Sequence, residues 1–229
     1  MRPELVRVPR AFGSGGEAME AAAAMPLGFD EAATISCVDL DQQTEALAAA
    51  LPENPVVLGG CCCTHVGAGR GLARRHGRIA VVWVDAHGDL NTPETSPSGN
   101  LWGMPFRMLL DGGDVAPGDA ALLGARSLDP PEEEYIDRVG LATSAAGLDR
   151  VLDGVGGAYV ALDCDVFDPS EIACFMPEPN GETIDDVAAL LETIRARVPL
   201  LGLGLTGLID APGNVSKLRQ LSAAAGFER

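Results

Sequence analysis

The chain has 229 residues, 47 % of them hydrophobic, and sets 16 Lys and Arg against 33 Asp and Glu for a formal net charge of −17 at pH 7. An acidic chain without clustered Lys and Arg excludes a nucleic-acid partner, because phosphate contacts need such clusters. The apolar share supplies a core for one large domain over residues 1–229 and argues against global disorder.

The first 17 residues carry scattered charge and no apolar h-region, so a signal peptide is not expected. No uncharged apolar run reaches the roughly 18 residues of a membrane span. Cys37, Cys61, Cys62, Cys63, Cys164 and Cys174 include three in a row, which is not a secreted disulfide framework, so the expected compartment is the cytoplasm.

In chain order, an apolar run at 55–58 enters Gly59-Gly60, and a helical stretch is expected at 66–76. The run at 79–84 stops at Asp85, and that at 120–123 stops at Gly124. A second helix is expected at 132–139. The run at 159–162 stops at Asp163. A third helix at 183–197 places Asp185 and Asp186 early and Arg195 and Arg197 late, which suits its dipole, and the last run, 200–205, meets Thr206. Continuous rather than alternating apolar runs are the pattern of strands buried on both faces of a parallel sheet. Strands alternating with helices imply an α/β fold, in which ligands bind beyond the carboxyl ends of the strands.

Two of those ends are acidic: Asp85-Ala86-His87-Gly88-Asp89, and Asp163-Cys164-Asp165 followed by Asp168-Pro169. If both segments are extended, alternate residues point the same way, so that Asp85, His87 and Asp89 converge, as do Asp163 and Asp165. Four carboxylates in one crevice cannot all stay ionised without a compensating charge. Divalent metal supplies it, and mostly oxygen ligation with imidazole suits Mn²⁺ or a related ion, with two ions bridged by shared carboxylates. The plainer alternative is that these aspartates only cap the turns that follow the strands.

Together with Leu90-Asn91-Thr92-Pro93, Ser98-Gly99-Asn100-Leu101-Trp102-Gly103-Met104-Pro105 and the Gly59-Gly60 strand end, these segments resemble the arginase and agmatinase (ureohydrolase) family over most of residues 55–212. The resemblance implies a three-layer αβα sandwich, arginase- and deacetylase-like, around a mainly parallel sheet. It implies a pair of Mn²⁺ ions that activates hydroxide against a guanidinium or amide carbon, a small-molecule substrate resembling arginine, and a homo-oligomer. Carried over by position, Asp85, Asp89 and Asp163 serve one ion and Asp85, His87, Asp163 and Asp165 the other. Asp89 also accepts a hydrogen bond from the hydroxide. Asn91, Ser98 and Asn100 match positions that bind an α-carboxylate, and Asp129 with Glu132 match the segment that receives an α-amino group.

Three departures bear on activity. Cys62 stands where the family has a histidine ligand, and a thiolate favours Zn²⁺ or Fe²⁺ over Mn²⁺; His65, three residues later, is a weaker substitute because a helical position points away from the strand end. Trp102 replaces a histidine thought to shuttle protons, and an indole cannot titrate near neutrality but can stack on a planar cation. No glutamate lies near Gly207, where the family pairs one with the guanidinium, and Asp210 equally suits a helix cap. The reading is therefore a binuclear Mn²⁺ hydrolase of a guanidino, hydroxyguanidino or amide substrate, with a catalytically silent member of the same fold as the alternative.

Overall fold

A computed structural model describes residues 2–228. Among the described residues, seven strands form one parallel sheet: β1 (Glu4–Val8), β2 (Asp30–Thr34), β3 (Pro55–Gly59), β4 (Ala80–Val84), β5 (Ala120–Leu123), β6 (Ala158–Asp163) and β7 (Leu200–Thr206). Their order across the sheet is β2-β1-β3-β7-β6-β4-β5, every pairing parallel. The helices are α1 (Glu17–Ala22), α2 (Leu40–Ala50), α3 (Thr64–His76), α4 (Pro105–Asp111), α5 (Pro130–Val139), α6 (Ala145–Val151), α7 (Ile184–Arg197) and α8 (Asn214–Ala224).

Each central strand feeds two cores. Val56, Leu58, Val82, Val160, Leu162, Leu203 and Leu205 pack with Leu148, Val187, Leu191, Leu218 and Leu221 of α6, α7 and α8 on one face. Val57, Val81, Trp83 and Tyr159 pack with Leu47, Leu72, Phe106 and Tyr135 of α2, α3, α4 and α5 on the other. Strand side chains alternate between faces, so a run that is apolar at every position gives a three-layer αβα sandwich. The five expected runs all became strands and the three expected helices all formed.

The helix ends follow local chemistry. Thr183 accepts from the Asp186 N–H while the Asp186 carboxylate receives from Thr183, a reciprocal cap that starts α7. Asp129 and Glu132 do the same for α5, whose first two residues are proline, pre-set for a helical start. Among the described residues no helix is long and apolar enough to cross a membrane.

The strand order brings the carboxyl ends of β3, β7, β6 and β4 side by side, although they are far apart in the chain. Cys62, Gly207, Asp163 and Asp85 follow or end those four strands, and all four line one cavity.

Candidate metal centre

The cavity encloses about 340 Å³ above these strand ends. Asp85, Asp89, Asp163 and Asp165 line it and are all buried, with His87 beside them and mostly buried. They meet by a different route from simple alternation along an extended segment. β4 stops at Val84, and Asp89 has φ 53°, a left-handed backbone tolerated by Asp better than by most residues. Asp165 sits in a short 3-10 turn, Cys164–Val166. Each strand-end aspartate makes that turn by accepting the backbone N–H two residues on: Asp85 Oδ1 from His87 at 2.7 Å, Asp163 Oδ1 from Asp165 at 3.0 Å. The capping role and the site-building role therefore belong to the same side chains.

The remaining atoms cross-brace the site. His87 Nδ1 lies 2.9 Å from Asp165 Oδ2, whose partner oxygen accepts from Ala86 N at 3.0 Å. Trp83 Nε1 donates to Asp85 Oδ2 at 3.0 Å, and the Cys62 thiol donates to Asp163 Oδ2 at 2.7 Å. Ligand atoms of Cys62, Asp85 and Asp89 lie within 4.8 Å of one another, as do those of Asp85, His87 and Asp165. The two groups share Asp85.

Burial and mutual repulsion dominate the protonation of this cluster. Burial, then the charges of Asp85 and Asp163, push Asp89 well above the usual carboxylate range. Burial and Asp85 raise Asp163 to about 6. Burial, followed by the three nearby aspartates, pushes the Cys62 thiol up. Burial works against a charged His87, but its hydrogen bonds to Asp165 and Asp85 outweigh that and lift it to about 12. Burial alone would raise Asp85; the His87 contacts reverse the sign and leave it lowered.

Four aspartates thus crowd around one histidine, and no Arg or Lys lines the cavity among the described residues. Asp89 Oδ2 is buried without a hydrogen-bond partner among them. Buried polar atoms are nearly always paired, so an orphaned carboxylate oxygen beside two overlapping ligand groups fits a bound cation.

The other expected site residues divide. Asn91, Ser98, Trp102, Asp129 and Glu132 line the cavity; Asn100 does not, because its Oδ1 turns to accept from Ser14 N at 3.0 Å. Glu132 is spent locally, accepting from Leu90 N and Asp129 N at 2.9 Å each, so it holds the loop after Asp89. Asn91 Nδ2 donates to the Asp129 carboxylate at 2.9 Å. His65 is no ligand: it is fully buried on α3, with Nδ1 2.7 Å from the Tyr159 hydroxyl and Nε2 2.9 Å from Thr206 Oγ1. Asp210 is exposed and does not line the cavity.

Gly207 does line it, with φ 72°, and a Cβ there would lie 2.0 Å from Asp163 Oδ1. Any side chain at that position, glutamate included, would force Asp163 to shift.

Residues that no spacing announced complete the wall. Met19, Phe175 and Met176 join Trp102 in an apolar rim, with Phe175 edge-on to the indole at 5.7 Å between ring centres. Glu178 brings Oε1 within 3.6 Å of His87 Nε2. Arg126 fastens this rim to the floor, donating to the carbonyls of Gly124, Asp165, Val166, Glu178 and Pro179 at 2.9–3.2 Å.

Known proteins resemble this chain in sequence and in fold. The chain is 33% identical over 162 residues to an arginase of Staphylococcus aureus, covering 58% of this chain and 54% of that one. It is 34% identical over 165 residues to an N(omega)-hydroxy-L-arginine amidinohydrolase of Streptomyces lavendulae, covering 66% and 59%. In sequence the chain spans about half the length of the curated relatives it matches first. The crystal structure of arginase from Bacillus subtilis superposes with a TM-score of 0.86 at 21% identity, over 100% of this chain and 99% of that one, which establishes a common fold. The family model described as the arginase family matches residues 17–207, and the chain belongs to that family.

Proposed function

We propose that the protein is a binuclear metal-dependent hydrolase that cleaves a C–N bond of an arginine-like substrate, with an N-hydroxyguanidine preferred over a plain guanidinium. The observation that carries the reading is the pair of ligand groups that overlap at Asp85, with the unpartnered Asp89 Oδ2 beside them. Cys62, Asp85, Asp89 and Asp163 would hold one ion, and Asp85, His87, Asp163 and Asp165 the other. When bound, two Mn²⁺ ions would supply a hydroxide at neutral pH and polarise the carbon under attack.

The chain's own residues do the rest. With Oδ2 offered to an ion, the other Asp89 oxygen is the acceptor that orients the nucleophile's O–H and takes up its proton for delivery to the departing nitrogen. Asp129 receives an α-amino group, and Asn91 and Ser98, with Asn100 outside them, face an α-carboxylate. Trp102 stacks on the planar head group in place of a titrating histidine. Because Gly207 offers no carboxylate, nothing there pairs with a fully charged guanidinium; a hydroxyguanidine, which is less basic, loses less by that absence. The hydroxyarginine-hydrolysing relative from Streptomyces lavendulae supports this preference. The six cysteines, all free, and the family resemblance extend the reading to a homo-oligomer in a reducing cytoplasm.

The test is to strip the purified protein of metal, reload it with Mn²⁺, count the ions and offer N-hydroxyarginine, arginine, agmatine and an amide analogue. Two ions per chain and release of an ornithine-like product from N-hydroxyarginine is the expected result. Two ions without turnover on any of the four would overturn the hydrolase and establish the second reading, a silent metal-binding member, which Trp102 and Gly207 favour.

A further inference from the structure

Beneath the carboxylates lies a line of polar side chains that no capping or packing role explains. Tyr159 on β6, His65 on α3 and Thr206 at the end of β7 are each 0 % exposed, within an otherwise apolar layer. The Tyr159 hydroxyl is 2.7 Å from His65 Nδ1, His65 Nε2 is 2.9 Å from Thr206 Oγ1, and Thr206 Oγ1 is 3.1 Å from Asp163 Oδ2. Three buried polar residues at core positions carry a cost in desolvation unless every group is paired, and here the pairing runs in one direction only.

The direction follows from counting protons. A carboxylate oxygen can only accept, so the single Thr206 hydroxyl proton goes to Asp163. Thr206 then accepts from His65 Nε2–H, and a neutral imidazole with its proton on Nε2 accepts at Nδ1 from the Tyr159 hydroxyl. Burial keeps His65 neutral, down to about 3, so the ring has one proton to place. The sheet makes room for this line. A Cβ at Gly204 would lie 2.1 Å from the Tyr159 hydroxyl oxygen and 2.5 Å from His65 Nδ1, so the residue two before Thr206 must be glycine for the line to exist. His65 is also held edge-on against Trp83 at 5.1 Å between ring centres, so the ring has little freedom to turn away.

We infer that Tyr159, His65 and Thr206 form a positioning relay that aims the Asp163 carboxylate, a shared ligand in the reading above, by fixing which way the Thr206 hydroxyl points. The inference rests on that metal reading. Cys62 also donates to Asp163 Oδ2, at 2.7 Å, so Thr206 and Cys62 converge on that oxygen from two different strand ends. Outer partners of this type orient carboxylate ligands in metal sites and commonly change affinity about 10- to 100-fold when removed.

The experiment measures Mn²⁺ affinity and stoichiometry by calorimetric titration, and the melting temperature of the metal-free protein, for the wild type and five variants. Thr206→Val keeps shape and removes the hydroxyl; it is expected to weaken Mn²⁺ binding about 10- to 100-fold, while Thr206→Ser restores it. Tyr159→Phe and His65→Gln should weaken binding by smaller factors. In the double variant His65→Gln with Thr206→Val, the His65 change should add nothing, because the relay is already cut. Lower metal-free melting temperatures with Mn²⁺ affinity unchanged would make these residues mere core packing and overturn the relay. Additive effects in the double variant would overturn it as well. A wild type that binds no Mn²⁺ would remove the metal reading and the relay together, whereas a wild type that binds two ions and a Thr206→Val variant that binds them equally well would remove the relay alone.

Discussion

Gly207→Ala puts the tightest place in the site to a quantitative test. Two costs are separable in the structure. The residue has φ 72°, where an L side chain costs about 1–2 kcal/mol. Its new Cβ would sit 2.0 Å from Asp163 Oδ1 and 2.6 Å from both other carboxylate atoms, so Asp163 must move, an overpacking cost of about 1–3 kcal/mol. Together these give about 2–5 kcal/mol, which for a domain of this size lowers the melting temperature by about 4–20 °C. Gly113→Ala supplies the control: its φ is 77° but nothing lies within 4 Å of its Cβ, so it should show the backbone cost alone, about 2–8 °C. The displaced carboxylate carries a second signature, because Gly207→Ala should weaken Mn²⁺ binding and Gly113→Ala should not. Thermal melts with and without Mn²⁺ provide both readings. A Gly207→Ala protein that melts no lower than Gly113→Ala and binds Mn²⁺ as the wild type does would refute the proposed crowding, and with it the explanation of why no glutamate occupies this position.

Asp89→Asn should raise the melting temperature of the metal-free protein by about 2–6 °C, since it removes a repelled buried charge at a left-handed position that Asn also tolerates, while Mn²⁺ binding drops sharply. Equal or lower metal-free stability would count against the repulsion. Cys62→His should shift preference from Zn²⁺ toward Mn²⁺ in competition titrations, and an unchanged ratio would exclude the thiol as a ligand. For pH, the sign follows from Asp163, whose folded value of about 6 lies above its ordinary 3.8. The folded, metal-free chain holds that proton more tightly than the unfolded one, so the contribution to stability is complete below the ordinary value and is lost as pH rises through about 6. Mn²⁺ must displace the same proton, so its affinity should climb with pH through that range, and titrations in buffers of different ionisation enthalpy should show proton release; a flat profile from about pH 5 to about pH 8 would refute this.

How much could be read without coordinates depended on whether the deciding contact was local. β3 to β7 were legible because burial on both faces leaves an unbroken apolar run. β1 and β2 were not: Glu4–Val8 is interrupted by Arg7, and Asp30–Thr34 lies at the sheet edge with most of its residues exposed, so neither keeps an unbroken apolar run. The carboxylates were legible as a set because each group sits within five residues at a strand end. Their manner of convergence was not, since the turn at Asp89 depends on its backbone angle and on Glu132, 42 residues away, holding Leu90. Asn100 was misplaced for the same reason: its partner is Ser14, 86 residues earlier. His65 looked misdirected for a ligand and is, but its actual partners lie 94 and 141 residues along the chain and only the strand order brings them together.

Arg126 has a mechanical consequence. One guanidinium ties the carbonyls of Asp165 and Val166 in the floor to those of Glu178 and Pro179 in the rim. The rim at Glu178 therefore cannot swing clear as an independent flap. Any push on it by an incoming molecule is transmitted, through a single planar side chain, to the backbone that carries Asp165. Entry to this cavity and the shape of its floor are thereby coupled through one side chain.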